Sequence, residues 1–198
     1  MVIHSQHKDP IVMNDTKAVR LTRADWLRGA LELLSSSGVQ EVKIVPLAER
    51  LGVTSGSFYW HFKNRGELHE ALLDYWEREM TDATVIAARA FEGTPRERIW
   101  QLMESVMNTG MARYDLAIWH WAQTEPAVQT VFHRVLEKRF EFATWMFGDA
   151  GFDDAQAIAR ARMMVVYMMG ESTLVPDAPA EREEQLRLKY EILTRPLA

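Results

Sequence analysis

The chain of 198 residues contains no cysteine. The absence of thiols excludes disulfide frameworks, thiolate zinc sites, iron–sulfur clusters and cysteine nucleophiles. No apolar run approaches the roughly 18 residues that a membrane-spanning helix needs. Residues 1–15 also lack the continuous apolar core of a secretory signal. These absences lead us to expect a cytoplasmic protein without a membrane partner.

The signatures of common enzyme classes are also missing. The sequence contains no G-x-S-x-G elbow, no P-loop, no G-x-G-x-x-G turn and no H-E-x-x-H motif. His133 and Glu137 are four residues apart and share a face of a predicted helix, but two ligands do not form a catalytic zinc site. We interpret this pair as solvated side chains. The sequence therefore predicts neither an enzyme nor a protein that holds a metal or another cofactor.

Basic and acidic side chains are unevenly distributed along the chain. The net charge is −5, and apolar residues make up 47% of the sequence, which is a globular composition. Between Lys17 and His69, eight basic and five acidic side chains give +3, so the remainder carries −8. This distribution favours an anionic partner for the N-terminal part alone.

Nearly every segment carries the apolar periodicity of a helix, and strand-like alternation is scarce. Thr22 with Asp25, and Asn64 with Glu67, have the spacing of a helix N-cap and its reciprocal acidic partner. Thr94 precedes a proline and a glutamate that mark another helix start. The pattern predicts an all-α protein of about nine helices.

Two short predicted helices, at about 45–51 and 55–62, are separated by a tight break at Gly52. This is the layout of a helix-turn-helix motif, whose second helix enters the major groove of DNA. At about 100° per residue, Phe58 and Phe62 project together and are predicted to anchor the second helix. Small and aromatic residues project from its other side. Because similar helix pairs occur in proteins that do not bind DNA, this pattern alone leaves DNA binding open.

The stretch from Gly52 to Leu68, GVTSGSFYWHFKNRGEL, closely resembles the recognition-helix signature of TetR/AcrR-family transcriptional regulators. Ala30–Leu34 and Leu47–Leu51 resemble that family too, so the likeness covers about residues 20–72. It implies a ligand-responsive, sequence-specific DNA-binding regulator, most simply a repressor that a small apolar effector releases. It also implies a homodimer that binds a palindromic operator in double-stranded DNA.

The resemblance divides the chain into three parts. Residues 1–19 are expected to form a flexible tail, and residues 20–66 a helix-turn-helix DNA-binding domain. Residues 67–198 are expected to form a larger helical domain for effector binding and dimerisation.

Candidate DNA-binding residues follow from the resemblance and from side chains that can reach base edges or phosphates. They are Thr22, Lys43, Ser55, Gly56, Ser57, Tyr59, Trp60, His61, Lys63 and Arg65.

The start of the second helix departs from the family. The family usually places a capping Ser or Thr there and an arginine shortly after it, whereas this chain reads Lys43-Ile44-Val45-Pro46. Lys43 can replace the phosphate contact, but the apolar Val45 cannot. This departure keeps an alternative open, in which the chain is a helical ligand-binding or interaction module with weakened or lost DNA binding.

The C-terminal part is rich in methionine and tryptophan, which offer adaptable apolar walls. Such residues at helical spacing also form ordinary cores, so both interpretations remain. His120 would be the polar group of an effector pocket, or simply a packing residue. The candidate pocket residues are Trp100, Met103, Met107, Trp119, His120, Phe142 and Met146.

The segment from Met163 to Met169 is apolar on every side of a helix, so it must be buried all round. Two-fold pairing of the last two helices into a four-helix bundle would bury it. A central helix inside one subunit is the alternative. The candidate interface residues are Met164, Val165, Met168, Met169, Leu186, Tyr190 and Leu193.

Overall fold

The computed structural model describes residues 21–174 and 179–196, so the tail predicted at 1–19 lies outside the described residues. The described part of the chain forms nine α-helices and contains no strand, which confirms the all-α prediction. In the same residues, no helix is long and apolar enough to cross a membrane. The helices are α1 (Arg23–Ser37), α2 (Ile44–Arg50), α3 (Arg65–Glu77), α4 (Ala83–Arg89), α5 (Pro95–Thr109), α6 (Ala112–Ala122), α7 (Pro126–Asp149), α8 (Asp154–Leu174) and α9 (Pro179–Thr194).

Helix starts follow the capping signals in the sequence. The Thr22 hydroxyl accepts a hydrogen bond from the Asp25 backbone N–H at 3.2 Å, and the Asp25 carboxylate accepts one from the Thr22 N–H at 2.7 Å. Thr94 forms the same reciprocal pair at the start of α5. The Asn64 side chain accepts from the Glu67 N–H at 3.0 Å. Each cap of this kind stabilises its helix by about 1 kcal/mol.

The first three helices enclose a small core with a 3-10 helix (Ser55–Trp60) on its outside. We call residues 21–66 of this unit the head. Two glycines set its geometry. A Cβ added to Gly29 would lie 2.8 Å from Leu51 Cδ2, so the glycine lets α1 and α2 approach closely. Gly52, with φ of +68°, adopts the left-handed conformation that turns the chain out of α2.

The head continues directly into the rest of the chain, which we call the body. α3 passes into a π-helical turn (Arg78–Asp82) and then into α4 without a break in helical backbone. α6, α7 and α8 pack on one another, and α6 also packs against α1 of the head. π-Helical turns occur frequently at functional sites. Here the turn follows α3, the helix that leads from the head into the body.

Glu77 joins the end of α3 to α7. Its carboxylate accepts from Arg134 at 2.5 Å and from Lys138 at 2.7 Å. These bonds, that of Arg134 foremost, lower the Glu77 pKa from 4.5 to about 2. A carboxylate with a lowered native pKa stabilises the fold above its unfolded pKa and loses that contribution as the pH falls towards the native value.

Replacing Glu77 by glutamine should therefore lower the free energy of unfolding by about 2 kcal/mol at pH 7. The penalty should shrink as the pH falls from 4.5 towards 2, which urea denaturation at several pH values would measure. Glu79→Gln, at an exposed position two residues along, is the matched control. A penalty for Glu77→Gln that does not change with pH would contradict this role for the ion pairs.

Candidate functional site

The 3-10 helix is held by one buried ring and presents two others to solvent. Phe58 is fully buried, with its ring 5.6 Å from that of Trp26 and 5.2 Å from that of Phe62. This confirms the two predicted anchors. On the outside, Tyr59 is 62% exposed and Trp60 is 81% exposed.

We call the exposed surface formed by Ser55, Gly56, Tyr59 and Trp60 the outer face. The segment is six residues long, whereas the sequence predicts a helix to residue 62. Serine and glycine at its start are poor formers of an α-helix, so the chain takes the tighter i→i+3 pattern instead. The His61 N–H, for example, donates to the Phe58 carbonyl at 2.9 Å.

Two predicted DNA-binding residues lie at the edge of the outer face and also take part in the local fold. The Ser57 hydroxyl donates to the Thr54 carbonyl at 2.7 Å. The half-buried His61 offers its backbone carbonyl to the guanidinium of Arg23, which also lies 4.3 Å from the centre of the Phe62 ring. The Ser57 hydroxyl and the His61 backbone carbonyl are therefore engaged within the head itself.

Exposed lysines flank the outer face. Lys63 is exposed and makes no ion pair within 4 Å in the described part of the chain. Lys43 is also exposed, with its ammonium nitrogen 3.5 Å from a carboxylate oxygen of Glu41. Lys43 occupies the N-cap of α2 but makes no side-chain capping bond, and Val45 beyond it is exposed. The missing cap and arginine noted in the sequence thus leave the start of α2 with a single cation.

Arg65 differs from the phosphate contact that the sequence suggests. Its Nε donates to the Val42 carbonyl at 2.8 Å and its Nη2 donates to the Val39 carbonyl at 2.9 Å. Both carbonyls belong to the loop between α1 and α2. The guanidinium is therefore engaged in holding that loop against α3, and this positions the head's elements relative to one another.

A cavity opens in the body between the π-helical turn, α4, α5, α6, α7 and α8. Its wall is mostly apolar and includes Phe142 and five methionines. The methionines are Met80, Met111, Met164, Met168 and Met169. Flexible thioether side chains adapt to varied partners, and a concave apolar wall with few polar groups is typical of a small-molecule site.

The polar groups in the cavity wall centre on one ion pair. Arg139 donates from Nη1 to Asp115 Oδ2 at 2.6 Å and from Nη2 to Oδ1 at 3.1 Å. Its Nε donates to the Thr81 hydroxyl at 2.9 Å. The Trp76 indole N–H donates to Asp115 Oδ1 at 2.8 Å. This polar cluster, formed by Trp76, Thr81, Asp115 and Arg139, joins α3, the π-helical turn, α6 and α7.

Of the seven pocket residues predicted from the sequence, the structure places Phe142 in the cavity wall. Met103, Met107 and Met146 are buried in the neighbouring core. Trp100 packs edge-on against Tyr190 at 5.4 Å. The remaining two, Trp119 and His120, are exposed.

The sequence reasoning missed the polar cluster. A signal existed, because Asp115 directly precedes one predicted helix and Arg139 lies within another, and both are charged residues beside apolar ones. A single charge in an amphipathic pattern usually lies on the solvated face, so the sequence pattern does not distinguish these two residues from surface residues.

The predicted dimer interface also needs correction. Met164, Val165 and Met168 are buried within the subunit, with Met168 only 6% exposed, and they line the cavity. Leu186 and Leu193 are buried beside them, Met169 is half-buried in the cavity wall, and the Tyr190 hydroxyl donates to the Arg96 carbonyl at 3.2 Å.

The opposite side of α8 remains apolar and exposed, as Met163 (57%) and Val166 (60%) show. Apolar side chains of α9 are exposed as well, and we call the exposed apolar side chains of the two helices the α8/α9 face. Its members are Met163, Val166, Leu188 and Ile192. The segment is thus buried by its own subunit on one side only.

Comparison with known proteins identifies the head. Residues 27–72 match the family model of bacterial regulatory proteins, tetR family. The head therefore resembles the N-terminal domain of that family. Over 53 residues the chain is 43% identical to the HTH-type transcriptional regulator TtgR of Pseudomonas putida, covering 27% of this chain and 25% of that protein. It is 31% identical over 90 residues to the HTH-type transcriptional regulator AcrR of Shigella flexneri, covering 43% of this chain and 42% of that protein.

The likeness to solved structures covers the body as well as the head, and it is a likeness of fold. A TetR-family transcriptional regulator from Streptomyces coelicolor superposes with a TM-score of 0.68 at 21% identity, covering 87% of this chain and 88% of that one. A transcriptional regulator from Rhodococcus gives a TM-score of 0.66 at 18% identity, covering 88% and 94%. The chain spans a quarter to about two-fifths of the length of the curated relatives named above. Similarity to these proteins in sequence therefore lies mainly in the head, whereas the body is similar to the solved structures in fold.

The hydrogen bonds of Arg65 should contribute to the stability of the head. Arg65→Ala removes one donor from each of two loop carbonyls and should lower the free energy of unfolding by about 1–3 kcal/mol, measured by urea denaturation followed by circular dichroism. Lys63→Ala, at an exposed position two residues away, should change it by less than about 0.5 kcal/mol. Equal stability of the two variants would contradict the positioning role of Arg65.

Proposed function

We propose that this protein is a DNA-binding transcriptional regulator whose affinity for its operator responds to a small apolar effector. The observation that carries the proposal is the outer face, in which a TetR-family domain buries Phe58 and turns Tyr59 and Trp60 outward. A protein without a partner for this surface would leave two large aromatic rings in water. Repression is the simplest output, since effector binding would then lower DNA affinity.

The chemistry of the outer face suits the major groove. Ser55 and Gly56 are small and let the backbone approach the base edges. The rings of Tyr59 and Trp60 can contact thymine methyl groups, which only the major groove exposes. Lys43 and Lys63 can pair with phosphates on either side and fix the orientation without reading sequence.

The α8/α9 face supports a homodimer. Its apolar side chains lie on two helices of one subunit and would be buried by the same face of a second copy, giving an isologous four-helix interface. A two-fold dimer would carry two outer faces. Two such elements bind a palindrome when they are spaced by one DNA turn, roughly 34–36 Å.

The cavity has two physical connections to the head. Its wall includes the π-helical turn, which continues from α3, and α6, which packs on α1. Arg113 and Tyr114 of α6 both donate to the carboxylate of Glu32 in α1. Burial raises the pKa of Tyr114, so its phenol stays protonated and remains a donor at neutral pH. An effector that moved α6 or the π-helical turn would therefore reorient the head, and effector and DNA affinities would be coupled reciprocally by about 1–3 kcal/mol.

The second candidate is a ligand-binding module with lost DNA binding, and the uncapped start of α2 favours it. Val45 stands exposed where the family usually places a cation, and Arg65 is engaged within the head. Selection of duplexes from a random DNA library by the purified protein distinguishes the two. Recovery of a palindromic consensus supports the regulator, whereas recovery of no consensus even at low salt supports the module.

On the selected duplex, the logarithm of the association constant falls as the logarithm of the salt concentration rises. Lys63→Ala should make this slope less steep by about two units, because a dimer loses two phosphate contacts. Tyr59→Ala should weaken binding by about 1–3 kcal/mol through the lost base contact. Fluorescence anisotropy across a salt series measures both quantities. Arg96→Ala, at an exposed position in the body, is the matched control and should leave the slope unchanged. A slope unaffected by Lys63→Ala would refute its phosphate contact.

Val166→Glu should convert the dimer to a monomer, because each copy would place a charge in the apolar α8/α9 face. Ile86→Glu is a matched control, since Ile86 is equally exposed but lies on α4. Analytical ultracentrifugation measures the two association states. An intact dimer for Val166→Glu would remove this face from the interface.

A further inference from the structure

The cavity wall contains two opposite charges that already neutralise each other. Asp115 and Arg139 form a two-pronged ion pair, with N–O distances of 2.6 Å and 3.1 Å. The remaining polar lining residues that the structure describes, Thr81 and Thr84, are uncharged. The cavity therefore presents an apolar wall and one polar cluster of zero net charge.

We infer that the effector is an uncharged molecule with an apolar body and a single hydrogen-bond acceptor, such as a ketone or ester oxygen. This inference rests on the proposed function, because it assumes that the occupant of the cavity is the effector. It adds the chemical class of the ligand and the residue that selects it, namely Arg139.

The hydrogen bonds of Arg139 leave donors for such an acceptor. A guanidinium carries five N–H groups. Two point to Asp115 and one, on Nε, points to Thr81. The other two, one on each terminal nitrogen, have no acceptor among the described residues. A neutral oxygen in the cavity can accept from one of them without disturbing the ion pair.

A charged ligand would have no such place. A ligand carboxylate would compete with Asp115 for Arg139. Whichever of the two carboxylates lost Arg139 would then be buried without a counter-charge. An ammonium group would have to lie beside the guanidinium to reach Asp115, whose Oδ1 already accepts from Trp76 and Arg139. An uncompensated buried charge costs several kcal/mol. A neutral head group avoids that cost.

The wild-type protein tests the inference with three probes of equal chain length, namely 2-decanone, decanoate and decylammonium. Their dissociation constants are measured by isothermal titration calorimetry at pH 7, below the concentration at which the probes form micelles. We expect 2-decanone to bind at least about tenfold more tightly than either ion. Equal or tighter binding of an ion, or no binding of the ketone, would overturn the inference.

A variant of the ion pair gives a second readout. Asp115→Asn keeps a similar volume but leaves Arg139 with an uncompensated charge, so the preference should shift towards decanoate by about tenfold or more. Asp149→Asn is the matched control, because Asp149 pairs with Arg98 at 2.6 Å outside the cavity lining. The control should keep the wild-type preference. An Asp115→Asn protein that folds, as judged by circular dichroism, and retains the wild-type preference would contradict the role of the pair; if it does not fold, the wild-type comparison decides.

DNA binding separates this inference from the proposed function. If the protein selects no DNA but prefers the ketone, the proposed function fails and the ligand class stands. If it binds a selected operator but prefers an ion, the regulator stands and the ligand class fails.

Discussion

The hydrogen bonds of the buried Asp115 carboxylate are the interaction on which the structure of the body depends. It accepts three hydrogen bonds, one from Trp76 of α3 and two from Arg139 of α7, and it lies on α6. Removing a carboxylate from water is expensive, so it is tolerated only where such donors are fixed in place. These three hydrogen bonds fix the distances between α3, α6 and α7. That spacing leaves the cavity beside them.

The same requirement links the cavity to the head. Trp76 stands on the helix that begins at Arg65, and Arg65 holds the loop between α1 and α2. On α6, the neighbour of Asp115 is Tyr114, which donates to Glu32 on α1. A shift of Asp115 would therefore be felt by both α3 and α1. Under the proposed function, these hydrogen bonds would be the physical route by which effector binding and DNA binding are coupled.

Much of the head could be predicted from its sequence, because local rules determine it. Capping at Thr22 and Asn64 and the anchoring of Phe58 each depend on spacing within a few residues. The 3-10 form of Ser55–Trp60 was missed, although its serines and glycine indicate a weak α-helix.

The body could be predicted only as a set of helices, since its site depends on which faces meet. Between Met163 and Met169 of α8 every side is apolar, so periodicity gives no information on which side faces the same subunit. Met168 was predicted at a dimer interface but lies in the cavity wall, while Val166 two residues earlier is exposed. Similarly, helical spacing marks Met103 as buried but does not tell whether a buried side chain borders a void or fills a core. That difference depends on contacts between residues far apart in sequence, such as Asp115 with Arg139.

The departures of the head from the usual family pattern would change how much of the DNA-binding free energy comes from phosphate contacts and how much from base contacts. Arg65 is engaged with carbonyls, Val45 carries no charge, and Lys43 lies near Glu41. Among the candidate DNA-binding cations Lys43, Lys63 and Arg65, Lys63 then has the fewest competing contacts in the described part of the chain. Because salt dependence scales with the number of phosphates neutralised, affinity should depend less on counterion release than it would with a cation at each of these positions. A larger share of the binding free energy must then come from the exposed rings of Tyr59 and Trp60. Contacts of rings with base edges vary with sequence, whereas phosphate contacts do not, so the loss of cations favours selectivity over general affinity.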